Sequence, residues 1–295
     1  MNSKYSFKIM KKTFLLASIT LVSLLSSCNE LVDDSVVSIG GENRVTRVVV
    51  AVFDGEGSVI NVQQAEAGVE QDYEMVGENF KHRVLIEDFT GAWCVNCPRV
   101  THTIEEELEP EHHDKFIAVA LHNDDGGSDP FVFKPYEKQL HGILADKVHP
   151  TPEFASYPFS PLNRQEMWKR DGQAYDVQQA LDLVQESSPV GIRIDSDLDV
   201  TEGTGTVNVS FKFNQDYNEE LKYIVYIVED GLEYAQKNST PFYGGGSEIE
   251  DFVHNAVAKG IVGTDVLGTT IPANETKAGQ IFNSGRLNVT FNTFE

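Results

Sequence analysis

The chain has 295 residues, with 46 acidic side chains against 23 basic ones and a formal charge of −23. So acidic a surface repels nucleic-acid phosphates and anionic lipid headgroups, which excludes both as electrostatic partners. Hydrophobic residues make up 40% of the chain, enough for a packed core, and the length predicts about two domains.

Residues 1–27 carry Lys4, Lys8, Lys11 and Lys12, no acid, and an apolar run from Phe14 to Leu25. That run is shorter than the roughly 20 residues a membrane-spanning helix needs, so it reads as a signal peptide. Leu25-Ser26-Ser27-Cys28 resembles the bacterial lipoprotein signal. The resemblance implies that Cys28 becomes the first mature residue and carries diacylglycerol and an N-acyl chain, which together give stable membrane attachment. Ordinary secretory cleavage with a free Cys28 is the alternative. Residues 28–43 are polar and acidic and read as a tether. Residues 44–79 open with a β-hairpin pattern and end in an acidic connector; the hairpin reads Arg47-Val-Val-Val-Ala-Val-Phe53, Asp54-Gly-Glu-Gly57, then Ser58-Val-Ile-Asn-Val-Gln63.

In the stretch 83–100 a short apolar strand runs into a small-residue turn and then into Trp93-Cys94-Val-Asn-Cys97-Pro98. A thiol at a helix N-terminus faces unpaired backbone N–H groups and the positive end of the helix dipole, both of which favour the thiolate. Cys94 is thereby the candidate nucleophile. Cys97, one turn on, can attack a mixed disulfide at Cys94 and close the intramolecular bond. Alternation along the strand puts Val84, Ile86 and Asp88 on one face and Leu85, Glu87 and Phe89 on the other, so one acid must sit with an apolar row. Pro98 has no N–H to return to the Cys94 carbonyl, so the first helical turn is expected to bend or start late. With Cys28 assigned to lipid, Cys94 and Cys97 are the remaining thiols of a chain in an oxidising compartment, and they pair. A zinc site would need about four ligands, and there is no second Cys-x-x-Cys, only scattered histidines such as His102, His112 and His113.

This strand and cysteine motif resembles thioredoxin, in which Val-Asp-Phe is followed after three residues by Trp and Cys-x-x-Cys. The resemblance implies an α/β thioredoxin-like domain over residues 80–187. It gives Asp88 the task of moving protons to and from Cys97, and Trp93 that of shielding the disulfide. It also implies a cis-proline beside the cysteines, where an extended substrate pairs; Pro158 is the choice, with Pro150 and Pro152 as alternatives. Val95-Asn96 stands where thioredoxin has Gly-Pro, so the redox potential is not legible. Helices are expected over 101–109, with Glu105-Glu106-Glu107 on the solvent side, over 136–146 and over 174–186, and a strand over 115–121. The loop His122-Asn-Asp-Asp-Gly-Gly-Ser-Asp129 is dense in oxygen ligands but lacks the EF-hand spacing and reads as a plain acidic loop.

From Ser188 the pattern turns to alternation, predicting an all-β, immunoglobulin-like antiparallel sandwich over residues 188–295. An insertion within 229–276 is expected to hold a short helix through Ile249, Phe252, Val253 and Ala256. The layout of lipoprotein cysteine, Asp-Phe-Thr-Gly-Ala-Trp-Cys-x-x-Cys-Pro, Tyr-Pro with Asn163-Arg164, then Glu229-Asp-Gly-Leu-Glu-Tyr-Ala-Gln236 and His254-Asn255 resembles the twenty-eight-kilodalton outer-membrane-protein-related lipoproteins. The resemblance takes in most of the chain after Lys81 and implies an outer-membrane lipoprotein on the periplasmic or surface face. Members of that family tend to end in a further strand pair, which the 48–65 hairpin looks like. The hairpin is therefore expected to dock on the sandwich and cover an open sheet edge.

The functional expectation is a membrane-anchored thiol-disulfide oxidoreductase: Cys94 attacks, Cys97 resolves, Asp88 handles protons, and Trp93 and Pro158 shape the docking site. Its partners would be the membrane, through lipid on Cys28, and cysteine-containing envelope proteins or a redox partner, with no nucleic acid. No metal or organic cofactor is implied. The rival is a non-catalytic envelope lipoprotein in which the disulfide is a staple.

Overall fold

The computed structural model describes residues 44–294 apart from Pro135 and Thr264. The signal peptide, Cys28 and the tether lie outside the described residues. The hairpin consists of β1 (Val45–Phe53) and β2 (Val59–Glu66). Its turn is set locally: the Asp54 carboxylate accepts the N–H groups of Glu56 and Ser58 at 3.0 and 2.8 Å, and Gly57 takes φ +78°, a conformation costly for any side chain. β1 is buried at every residue from Val48 to Phe53, so its run of valines faces apolar neighbours on both sides of the sheet.

β3 (Val84–Thr90) leads into the cysteine turn and a helical run made of α1 (Pro98–His102), a π-helical turn (Thr103–Leu108) and α2 (Glu109–His112). β4 (Phe116–His122) returns parallel to β3. After α3 (Glu137–Val148) come β5 (Pro161–Leu162), β6 (Glu166–Met167) and α4 (Val177–Asp182). Two long strands, β7 (Val190–Asp199) and β8 (Thr204–Phe213), form a hairpin, and β9 (Leu221–Asp230) follows. The chain then makes an excursion through β10 (Leu232–Glu233), β11 (Gln236–Lys237), β12 (Glu248–Ile249) and β13 (Val253–His254). It ends with β14 (Val257–Ile261), β15 (Thr269–Ile271), β16 (Ile281–Asn283) and β17 (Leu287–Thr290).

The largest sheet is mixed, in the order β2-β1-β9-β14-β4-β3-β5-β6, with β15 also on β9. β1 pairs with β9 along its full length, from Val45 opposite Asp230 to Phe53 opposite Lys222. One face of this sheet packs on α3 through Leu85, Phe89, Val119, Leu140 and Leu144. The other face is shared. Near β1 and β9 it meets the smaller sheet of β7, β8, β16 and β17 through Val50, Val225, Ile192 and Phe211; near β3 it meets α1, the π-helical turn and α4 through Ile86, Val100, Leu108 and Ala180.

These pairings correct the expected fold class. The described chain holds about 40% strand against about 16% helix, and no distinct α/β thioredoxin-like domain forms beside a separate sandwich. The physical reason is that β9 and β14, late in the sequence, lie between β1 and β4, and their ladders close the edges that a free-standing unit around β3 and β4 would expose. The excursion also departs from its expected helix. Ile249 and Val253 lie in two-residue strands, and Ala256 takes φ +55°.

Glu87 fixes the middle of the molecule. Its carboxylate, fully buried on the α3 side of the sheet, receives the Arg164 guanidinium through two bonds of 2.7 and 2.6 Å and the Tyr226 hydroxyl at 2.6 Å. Arg164 also lies 4.4 Å from the centre of the Phe53 ring. Although burial alone would lower it, Glu87 holds the Arg164 guanidinium charged. Next to it, Asn163 with φ +50° exchanges backbone and side-chain bonds with Leu85 and accepts the Val59 N–H at 2.9 Å. Replacing Arg164 by Met leaves Glu87 buried without its charge partner. Urea unfolding is expected to show a loss of about 3–5 kcal/mol.

Candidate functional site

Cys94 and Cys97 are joined by a disulfide, with Cα atoms 5.4 Å apart. The turn that carries them is held from outside the helix. Cys94 N–H bonds the Gly91 carbonyl at 2.9 Å, and the preceding Ala92 N–H donates to Asp129 at 2.6 Å. Helix α1 starts at Pro98 with Cys97 as its N-cap, so Cys94 lies ahead of the helix and not on its first turn. Pro98 suits the first helical position because an N–H there would have no helical partner. The Cys94 carbonyl still receives the Cys97 N–H at 3.2 Å, and a second donor comes from far away, the Gln236 side-chain amide at 2.9 Å.

Trp93 is packed in place. Its indole N–H donates to the Asn123 carbonyl at 2.8 Å, its ring meets Tyr157 edge-on at 5.6 Å, and the 126–127 glycines lie flat against it. A Cβ on Gly126 would come within 2.2 Å of the indole, which explains a glycine there without any ion to bind. The loop's acids are spoken for: Asp124 pairs with Lys134 at 2.7 Å, Asp125 with Lys138, and Asp129 with His122 at 2.8 Å. Burial works against the charge on Asp129, but His122 and the Ala92 and Phe131 amides hold its carboxyl below the usual range.

The Tyr157–Pro158 peptide bond is cis. Tyr157 donates to Glu137 at 2.6 Å, and Phe159 exchanges backbone bonds with Phe89 at 2.9 and 3.3 Å. The proline loop thus lies against the end of β3, just before the cysteine turn. Two residues on, the Ser160 hydroxyl donates to Asp88 at 2.8 Å. Asp88 shares its sheet face with Val84 and Ile86, which pack on the helix that the cysteines open. Burial pushes its carboxyl up to about 7, opposed by Ser160 and His122.

Asp88 also lines a cavity of about 50 Å3, together with Glu105, Glu109, His122, Gln236 and His254. Glu105 departs from the expected solvent face: the π-helical turn carries it inward, where Asn255 donates to it at 2.7 Å. Burial first, then Glu109 and Glu106, push Glu105 up to about 7, against Asn255. His254, buried next to His122, is pushed down to about 3 and stays neutral. Among the described residues no cluster of three or more His, Cys, Asp or Glu side chains is arranged to hold a metal ion.

Residues 147–292 match the model of the Omp28 outer membrane protein family. No curated protein and no solved structure matches the chain. The Omp28 match takes in Pro158, Ser160, Arg164 and Gln236 and leaves out Asp88, Trp93 and both cysteines, so the resemblance read from Lys81 onward is supported from the last turn of α3 on. The name Omp28 points to an outer-membrane or envelope location. Ser160 and Gln236, both within the Omp28-matched stretch, are the site residues that sequence reasoning missed. The Ser in Phe159-Ser160-Pro161 carries no spacing signal, and Gln236 reaches the cysteines only through the excursion.

The buried carboxyls set a pH dependence. Asp88, Glu105 and Glu137 hold protons in the folded protein up to about pH 7, whereas in an unfolded chain they ionise near pH 4. Folding takes up protons at these carboxyls between those values, so their contribution to stability falls as pH rises from about 4 to about 7, while His82 and His254, held neutral in the fold, act in the opposite sense. Asp88→Asn keeps a partner for Ser160 and removes the buried charge. Denaturant titrations are expected to show a variant more stable than the parent by on the order of 2 kcal/mol at pH 8, the gap closing toward pH 4.

Proposed function

We propose that this chain is an envelope lipoprotein that exchanges disulfides through Cys94 and Cys97. The observation that carries the reading is Asp88. It lies on the sheet face covered by the helix that follows the cysteines, where burial pushes its carboxyl up to about 7 and lets it hold or release a proton at neutral pH. Trp93, Tyr157 and the cis bond at Pro158 gather around the same end of β3. The residue pattern around Cys28 supports a lipid anchor, which would keep the chain at the membrane and leave the 44–294 body in the aqueous envelope.

Starting from the oxidised pair, a partner thiolate attacks the Cys94 sulfur, the Cys94–Cys97 bond breaks, and Cys97 leaves with the electron pair and takes a proton from Asp88. A second thiolate on the partner then attacks the partner's own sulfur in the mixed disulfide and releases Cys94 as thiolate, which is protonated from solvent. The partner ends oxidised to a disulfide, and Cys94 and Cys97 end as two thiols. The reverse sequence reduces a partner disulfide.

A second reading has its own support. Cys94 is only 3% exposed and Cys97 1%, as suits a staple that holds the turn. Titrating the full chain against glutathione and dithiothreitol separates the two. Exchange predicts a potential well above about −300 mV, and a pair that stays oxidised below that value is a staple and sinks the exchange reading.

A further inference from the structure

The excursion between β9 and β14 lies on the cysteine turn as a second polypeptide would. Lys237 donates its backbone N–H to the Ala92 carbonyl and Ser239 donates its own to the Val95 carbonyl, each at 2.8 Å, so alternate amides of one extended segment read the carbonyls on either side of Cys94. Just before them the buried Gln236 side chain bonds the carbonyls of Cys94 at 2.9 Å and Gly91 at 3.3 Å. The Ser239 hydroxyl reaches the Val95 carbonyl and the Asn96 side chain, both at 3.2 Å. The segment bonds the open carbonyls of the turn much as an added strand bonds a sheet edge, but from within the same chain. It is also a barrier, because exchange needs a thiolate to reach the disulfide sulfur, and Cys94, whose carbonyl the cover bonds, is already buried.

We propose that residues 236–239 are a built-in occupant of the edge beside the disulfide, and that an extended, cysteine-bearing polypeptide reaches Cys94 by replacing them. The edge offers such a partner the carbonyls of Ala92, Cys94 and Val95, so its own N–H groups recover the bonds that the cover gives up. The cover's strand ladders lie within the excursion itself and are short. Its ladders, β10 with β13 and β11 with β12, are two residues long, and the chain bends at Gly231 with φ +77° and at Gly244 and Gly245 with φ +82° and +72°. At the far side Phe242 stacks on His102 of α1 at 3.6 Å, a contact that lifts away with the segment. In the open form the exchange steps are those given above.

The inference rests on the exchange reading, and the experiment keeps the two apart. The oxidised full chain is mixed with increasing dithiothreitol, and the loss of the Cys94–Cys97 bond is timed for the parent, Lys237→Pro and Gln236→Ala. The parent rate is expected to level off at a ceiling set by release of the cover, and the Lys237 and Ser239 amides to exchange hydrogen at that same rate. Removing one or two of the cover's bonds raises the ceiling about tenfold. A short cysteine peptide is expected to react about tenfold faster than the same peptide with its backbone amides methylated, since only the first can pair with the edge. A parent rate that climbs linearly with dithiothreitol, unchanged in both variants, overturns the proposal, as does equal reactivity of the two peptides. If the ceiling is present but the equilibrium potential is that of a staple, the exchange reading falls and the cover stands as a shield. A labile potential without a ceiling removes the cover and keeps the exchange.

Discussion

A carboxylate buried on the inner face of a strand must be neutralised where it stands, and Glu87 does this with groups from two other parts of the chain. Arg164 arrives from the segment after the cis peptide bond and Tyr226 from β9, so three distant stretches meet at one charge. Isolated, that charge would cost several kcal/mol; paired and bonded, it fixes the spacing of the elements that carry it. β3 ends in the cysteine turn, the Arg164 segment carries Pro158 and Ser160, and β9 leads into the excursion. The geometry around the disulfide therefore depends on an ion pair on the opposite face of the sheet.

The two neighbouring acids of β3 have opposite fates because a strand turns each successive side chain to the other face. Glu87 points to the α3 side, finds a cation and stays matched by it. Asp88 points to the α1 side, finds a serine hydroxyl and the more distant His122, and its carboxyl is pushed toward the neutral form. The first contributes rigidity and the second a titratable proton. The same asymmetry recurs in the helix, where one π-helical turn separates Glu105, turned into the cavity, from Glu106 and Glu107 in solvent.

What the sequence made legible was local. Alternation marks β3 and places its acids on opposite faces, the apolar run marks β1, and Asp54 with Gly57 marks the turn that follows it. The Tyr157–Pro158 pair stood out in a proline-rich stretch. The sheet order was not legible, because no pattern within β9 says that it lies between β1 and β14, and the thioredoxin motif around Cys94 suggested a self-contained α/β unit instead. The excursion failed for a related reason: Ile249, Phe252, Val253 and Ala256 have helical spacing, but tertiary pairing with residues 232–237 overrides a weak local preference. Glu105 turns inward through a helical irregularity that its charge run does not show, and Gln236 meets the Cys94 carbonyl only through the excursion, which no spacing marks.

The sheet order has a consequence for how the chain is made. β1 and β4 are synthesised early, yet neither gains its inner neighbour until β9 and β14 have emerged, so the centre of the sheet is the last part of it to close. Until then two strand edges stand open, and any chaperone that shields emerging envelope proteins has these edges to protect. The cysteines are likewise made before the segment that bonds their turn. An oxidant acting on the growing chain meets Cys94 and Cys97 before the excursion has bonded their turn, so this bond is formed most easily in a window that closes when the excursion settles there.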